Sequence, residues 1–415
     1  MKAIVKNNKK YKLMKDFKLH RYYFLILVFA GMFLHSCDNN EVPETKADEY
    51  FLSVEHKFNL TVQDIKNINP QFALIAPINN DVEIYKITYK TTYKDKGIQA
   101  SGLVCLPKAA GNYPIMSFQN GTNTEQSKAP TENPRDDAFL LLESMASMGF
   151  IVVVPDYIGF GASSQLPHPY LHAESTTQSI LDILRAVKEF GNQEKIVAKP
   201  TKDLFIFGYS QGGWATMQLQ NAIEKTYSAE FNLVASSCAA GPYSIGYMNE
   251  FITAKTDYPM PYFLTYVLNA YITTGLVTNP ITDFIKSPYA SKIASLYDGK
   301  HSGGYINSEL TTKMGDLLTN EFRTGFASDT RFATIKSQFA ANSITPWKIT
   351  TPTRLYHGTA DDYIPLSLSQ KMYTDFLAKG VSESTLKLVM VPGNHTEAIN
   401  MVGLYTILWF LELKK

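Results

Sequence analysis

Leu204-Phe205-Ile206-Phe207-Gly208-Tyr209-Ser210-Gln211-Gly212-Gly213 is the stretch whose reading decides the fold. Leu204–Phe207 is an apolar run of strand character, and a helical pattern from Trp214 to Ile223 follows at once. Between them Gly208-Tyr209-Ser210-Gln211-Gly212 has the Gly-x-Ser-x-Gly spacing of a nucleophile elbow, in the strand–turn–helix setting the motif requires. The serine must sit on a sharp, strained turn with its hydroxyl thrust outward. Side chains two residues to either side would collide with that turn, and glycine removes the collision.

Outward from the elbow, strand and helix patterns alternate. Val82–Tyr93, Gly97–Pro107 and Tyr113–Phe118 read as strands, followed by a helix over Asp136–Ser147. Phe150–Pro155 is apolar without polar alternation, the pattern of a strand buried on both faces of a parallel sheet. A helix over Ala173–Phe190 carries Ile180, Leu181, Ile183, Leu184 and Val187 on one stripe. Phe231–Ala240, Thr353–Tyr356 and Thr385–Val391 are further strands, and a helix ending at Leu413 closes the pattern. Such alternation predicts an α/β fold, a mostly parallel central sheet with helices on both faces. The hydrolase-like core is expected to comprise 51–240 and 348–415. Residues 241–347 interrupt the alternation with aromatic-rich helical segments such as Tyr262–Tyr271. This insertion precedes the next strand and predicts a helical cap over the C-terminal edge of the sheet, where ligands of open α/β sheets bind.

A serine hydroxyl becomes a nucleophile when a histidine takes its proton, and that histidine needs an acid to hold its tautomer. After an elbow the chain order is serine, acid, histidine. The acid lies in His357-Gly358-Thr359-Ala360-Asp361-Asp362-Tyr363-Ile364-Pro365, with Asp361 favoured by its spacing from Gly358 and Ile364-Pro365 and Asp362 the competitor. The Asp not used is free to cap the next helix. Of eight histidines, His20, His35 and His56 lie near the N-terminus, His168, His172 and His301 precede the acid, and His357 reads as a packed strand end. His395, in Val391-Pro392-Gly393-Asn394-His395-Thr396, remains as the base. An oxyanion on the attacked carbonyl needs preset N–H donors. One is expected from Gln211; the other comes from Asn120, Gly121 or Thr122 in the loop after the third strand, with the choice open among them. Asp156–Ser163 lacks Gly-x-Gly-x-x-Gly spacing and reads as a loop shaping the site; no nucleotide, zinc or calcium motif is present, so no cofactor and no metal are expected.

The 415 residues are 45% hydrophobic and 19% charged with a formal net charge of +1, ordinary globular values that point to no nucleic-acid partner. Lys15, Lys18 and Arg21 precede an apolar run from Tyr22 to Leu34, and Leu34-His35-Ser36-Cys37 follows. A basic flank, a short apolar run and a small residue before the cut predict a signal peptide over 1–37 with Met14 the better start. Cys37 resembles the lipidated cysteine of a bacterial lipobox, with His35 bulkier than usual there. Export to the cell envelope on a lipid anchor at Cys37 is expected, or secretion if Cys37 is not acylated. Residues 38–50 read as a polar, flexible tether. Cys105 and Cys238 lie in apolar stretches and are expected to be free thiols, since a chain of this size needs no disulfide.

Together these residues resemble the α/β-hydrolases, and within them the secretory lipase family and its bacterial lipase-like relatives. The resemblance rests on Ser117–Thr122, Pro155–Gly161, His168-Pro169-Tyr170-Leu171, Gly208–Gly213 and His357–Pro365, in that order from about residue 85 to 396. It departs at Asn120, where the family often has histidine, and weakens in the cap. It implies a carboxylic ester hydrolase with a helical lid and no cofactor. Such an enzyme would act through a Ser210 acyl-enzyme, with His395 as base and then acid and Asp361 orienting it. A small-molecule, lipid or polysaccharide ester would be the substrate. A serine peptidase of prolyl-oligopeptidase-like chemistry shares the elbow but requires a large all-β domain ahead of the hydrolase, which this chain lacks. A binding lipoprotein on a hydrolase scaffold predicts a lost triad member, and none is missing.

Overall fold

The computed structural model describes residues 48–414 apart from 69, 71 and 75. The expected signal peptide, Cys37 and the tether up to residue 47 lie outside the described residues. In chain order the strands are β1 (Phe51–Leu60), β2 (Val82–Tyr93), β3 (Lys96–Pro107), β4 (Gly111–Gln119) and β5 (Ile151–Pro155). They continue with β6 (Ala198–Tyr209), β7 (Asn232–Ala239), β8 (Thr353–Gly358) and β9 (Leu386–Val391). Among the described residues they form one sheet in the order β1-β2-β3-β5-β4-β6-β7-β8-β9. The pairs from β5 to β9 are all parallel, while β1, β2 and β3 join antiparallel at one edge. With helices covering it, this is an α/β-hydrolase fold.

Consecutive apolar side chains in the central strands divide between the two faces. Leu204 and Ile206 of β6 enter one core, Phe205 and Phe207 the other; Ile151 and Val153 of β5 part from Val152 and Val154 in the same way. That is why neither strand shows polar alternation. The larger helices are α1 (Asp137–Ser144), α2 (Ala173–Asn192), α3 (Gln211–Ala222), α4 (Ile245–Ala254), α5 (Tyr262–Thr273), α6 (Ala333–Ala341), α7 (Leu366–Ala378) and α8 (Ala398–Leu413). The apolar stripe of α2 packs into the first core and α8 into the second. Residues 241–352 add no strand to the sheet and contain α4, α5, α6 and several shorter helices. Cys105 and Cys238 are buried, unpaired thiols.

Two features depart from the sequence reading. Strand β1 went unrecognised, and its entry is already ordered: the Glu49, Tyr50 and Phe51 amides donate to the Glu189 carboxylate of α2 at 2.7–3.0 Å. Nor does either Asp of the acid loop cap α7; Pro365 precedes its first residue and no side chain caps it.

Glu143 on α1 is fully buried, and neither carboxylate oxygen meets a partner within the protein. Burial pushes its pKa up to about 8, with Arg135 pulling the other way. The native state therefore holds a proton here that the unfolded chain releases near pH 4.5, so stability falls as pH rises from 4.5 to 8. The loss is on the order of 5 kcal/mol above that window. Glu143→Gln is expected to flatten this slope, raising the melting temperature at pH 8 and leaving it nearly unchanged at pH 4.5. Parallel slopes in the two proteins would refute the assignment.

Candidate active site

Strand β6 ends at Tyr209, and the chain turns at Ser210 with φ 59° and ψ −122°, a region that costs an L-residue about 1–3 kcal/mol. One hydrogen bond and three close glycine approaches explain why the turn holds. The Ser210 N–H donates to Ala239 O at the end of β7, 2.9 Å away. A Cβ on Gly208 would strike the Gly212 carbonyl, and one on Gly212 would strike the carbonyl of Gln119 at the end of β4. A Cβ on Gly213 would strike Ala239 O. The glycines thus let the elbow sit against two neighbouring strand ends. Ala240, Tyr157 and Leu171, near the same sheet edge, also have positive φ (44°, 68° and 54°).

The structure brings Ser210, His395 and Asp361 together. Ser210 Oγ lies 3.0 Å from His395 Nε2, and His395 Nδ1 lies 2.7 Å from Asp361 Oδ2. Because the carboxylate can only accept, the imidazole proton sits on Nδ1 and the Nε2 lone pair faces the serine hydroxyl. Asp361 Oδ1 accepts from the Tyr363 and Ile364 amides at 3.0 and 2.8 Å, which fixes the carboxylate plane. Burial would raise its pKa, but hydrogen bonds from His357 and His395, the nearby His395 imidazole and the Ile364 N–H together hold it well below the ordinary carboxylate range. The competitor Asp362 is exposed and lies outside this cluster.

Supporting groups hold the trio. Tyr209 OH donates to His395 O at 2.7 Å, and the rings of Tyr209 and Tyr363 stand 5.1 and 4.9 Å from the imidazole. His357 is fully buried, as its strand-end position predicted, but it also reaches Asp361. Its Nε2 lies 2.9 Å from Ile364 O and 3.3 Å from Asp361 Oδ2, so one Nε2–H is shared between two acceptors while Ser369 Oγ donates to Nδ1 at 2.7 Å.

The loop after β4 abuts the elbow. Asn120 Nδ2 donates to Pro155 O at 3.0 Å, and the Thr122 and Tyr170 hydroxyls are 2.7 Å apart. The Nδ2 of Asn120 thus holds the loop, while its buried Oδ1 meets no partner within the protein. The Gln211 N–H sits at the first position of α3, where no carbonyl of its own helix can accept it.

Chain order excludes His168 as the base, and the structure gives it another place. Its Nδ1–H donates to Ile158 O at 2.7 Å, and its Nε2 accepts from Gln211 Nε2 at 3.2 Å. Burial pushes its pKa down to about 4, which keeps it neutral and able to accept. The Asp156–Ser163 loop that carries Ile158 is anchored by the buried Asp156, which accepts from Ser101 and from both the amide and the hydroxyl of Thr131. A Cβ on Gly161 would strike the Asp156 carboxylate. That network fixes the loop against Ser101 and Thr131.

Ser210 opens into a largely apolar cavity. Ile245, Met248 and Ile252 of α4 and Phe263, Leu264 and Val267 of α5 line it together with Tyr170, Leu171 and Ile364.

The sequence model of the secretory lipase family matches residues 124–412. Among solved structures the chain is similar to the rice cell wall degrading esterase LipA from Xanthomonas oryzae, 25% identical with a TM-score of 0.76 over 87% of this chain and 97% of that one. It also resembles a structure from Legionella pneumophila described as a hydrolase (23%, TM-score 0.79, 88% and 98%) and Candida antarctica lipase A in its closed state (17%, TM-score 0.66, 88% and 82%). No curated protein sequence matches significantly. The peptidase and binding-protein readings fall away with the family match. Its extent shows that the chain belongs to the secretory lipase family and is a carboxylic ester hydrolase.

Proposed function

We propose that the protein cleaves carboxylic esters through a covalent acyl-enzyme on Ser210. The observation that carries this is the continuous path from Ser210 Oγ through His395 to Asp361, at 3.0 and 2.7 Å. His395 Nε2 takes the hydroxyl proton as Oγ bonds to the substrate carbonyl carbon. The tetrahedral oxyanion is met by the Gln211 N–H and a backbone N–H from residues 120–122. Collapse breaks the ester C–O bond, and His395 gives its proton to the departing alkoxide. A water then repeats the sequence: His395 takes its proton, hydroxide adds to the acyl carbon, and Ser210 leaves with that proton. Asp361 stays ionised throughout and pairs with the imidazolium that forms twice.

Residues 241–347 act as the cap, since α4 and α5 supply most of the apolar lining against Ser210. An apolar wall of this kind suits a hydrocarbon acyl or alcohol group. The reaction class is tested by offering wild-type protein nitrophenyl esters of graded acyl length beside aminoacyl nitroanilides. Ester turnover is expected to exceed anilide turnover by at least about a hundredfold, and the reverse order would overturn the reading.

The N-terminal pattern and the family match support export: residues 1–37 carry the chain out, and Cys37 is acylated to anchor it at the cell envelope. In a bacterial host, labelled palmitate is expected in the wild-type protein and absent from Cys37→Ser. Equal labelling of both would remove the anchor.

A further inference from the structure

The face of α4 turned to the catalytic cavity carries Ile245, Met248, Asn249 and Ile252, the spacing of a single helix stripe. Three of these are hydrocarbon or thioether, and Asn249 is the exception. It is 1% exposed, it lines the cavity, and neither its Oδ1 nor its Nδ2 meets a hydrogen-bond partner within the protein. A buried amide without partners is costly, and a leucine would fill the same space without that cost. A water held by Asn249 wants about two to four partners in all and would find those beyond Asn249 largely missing, because its neighbours on this face are apolar. Such a water is easily displaced. The amide has one donor end and one acceptor end, which a hydroxyl, able both to give and to take, satisfies at once.

We propose that Asn249 is a specificity-determining residue that recognises a hydroxyl on the otherwise apolar part of the ester held in this cavity. The inference rests on Ser210 being the nucleophile, because that places the cavity beside the attacked carbonyl. The preferred ester then differs from a plain fatty ester by one oxygen along its chain. A plain hydrocarbon of equal length leaves the amide unpaired and is discriminated against. A site built to bond a hydroxyl rejects the analogue lacking it far more strongly than an apolar pocket rejects a missing methylene.

The test is a hydroxyl scan. Nitrophenyl esters of octanoic acid and of octanoic acids hydroxylated at successive carbons are compared with a matched series of hydroxyalkyl acetates, so that acyl and alcohol occupancy are told apart. In wild-type protein one position is expected to raise kcat/KM over the plain ester by about tenfold or more. In Asn249→Leu that advantage is expected to vanish, with plain octanoate now cleaved faster than by wild type. The melting temperature of Asn249→Leu is expected to hold or rise; a marked fall would mean that the amide is already paired in the folded protein and would overturn the proposal. So would a wild type indifferent to the hydroxyl at every position, or a preference that survives in Asn249→Leu. Calorimetric titration of the same ester pairs into Ser210→Ala separates the two layers of the argument. A hydroxyl preference in binding with no Ser210-dependent turnover would sink the nucleophile assignment and keep Asn249, whereas equal binding would sink Asn249 alone.

Discussion

Ser210→Ala is expected to lower kcat/KM for ester hydrolysis by about 10⁴–10⁶-fold while the protein stays folded. The change deletes one oxygen, which lies 3.0 Å from His395 Nε2. Alanine bears the same backbone cost at φ 59° as serine, and the glycines around it still fit, so the turn survives. What remains is an oxyanion site and a binding cavity without an atom to attack. These retain about 10³–10⁴-fold over the uncatalysed reaction. Steady-state turnover and the burst of nitrophenol released by the first acylation should disappear together. A variant holding more than about one hundredth of wild-type activity would show that the nucleophile lies elsewhere.

Asp361→Asn should cost about 10⁴-fold in kcat, with a smaller change in KM. The reason is directional. The Tyr363 and Ile364 amides both donate to Oδ1, so the asparagine must keep its carbonyl there and turn its NH₂ toward His395 and His357. That NH₂ can only donate. It drives the His395 proton from Nδ1 to Nε2, where it meets the serine hydroxyl and leaves no lone pair to receive the hydroxyl proton. Asp362→Asn, on an exposed side chain outside the cluster, should change kcat less than about twofold and serves as the matched control. An Asp362 effect equal to that of Asp361 would undo the assignment of the acid.

Much of the sheet was legible because its central strands are buried on both faces. Ile151–Pro155 and Leu204–Tyr209 are buried at every step, as strands of a sheet covered on both faces must be. The elbow was legible because backbone collisions around Ser210 admit only glycine, and His395 because no other histidine follows the acid loop. Strand β1 was not. As an edge strand it exposes Leu52, Ser53, Glu55 and His56, so its sequence carries little periodicity for a reader to use. His168 and Gln211 meet across 43 positions, and His357 reaches Asp361 only because the acid loop folds back over the end of β8. Asn249 left no trace of its place: in the sequence it reads as one polar residue on an amphipathic helix, and tertiary packing alone turns it inward.

The close approach of Gly212 to the Gln119 carbonyl has a longer reach than the geometry of one turn. It welds the proposed nucleophile's turn to the loop expected to receive the oxyanion, so both must be inherited as a unit. The cavity wall on α4 and α5 belongs to a different stretch of chain, folded between β7 and β8. Descendants of such a protein can therefore change diet by substitutions in the wall alone, each tried against a reaction centre that stays constant. Divergence in this lineage should accordingly be uneven, slow around the weld and fast along the wall.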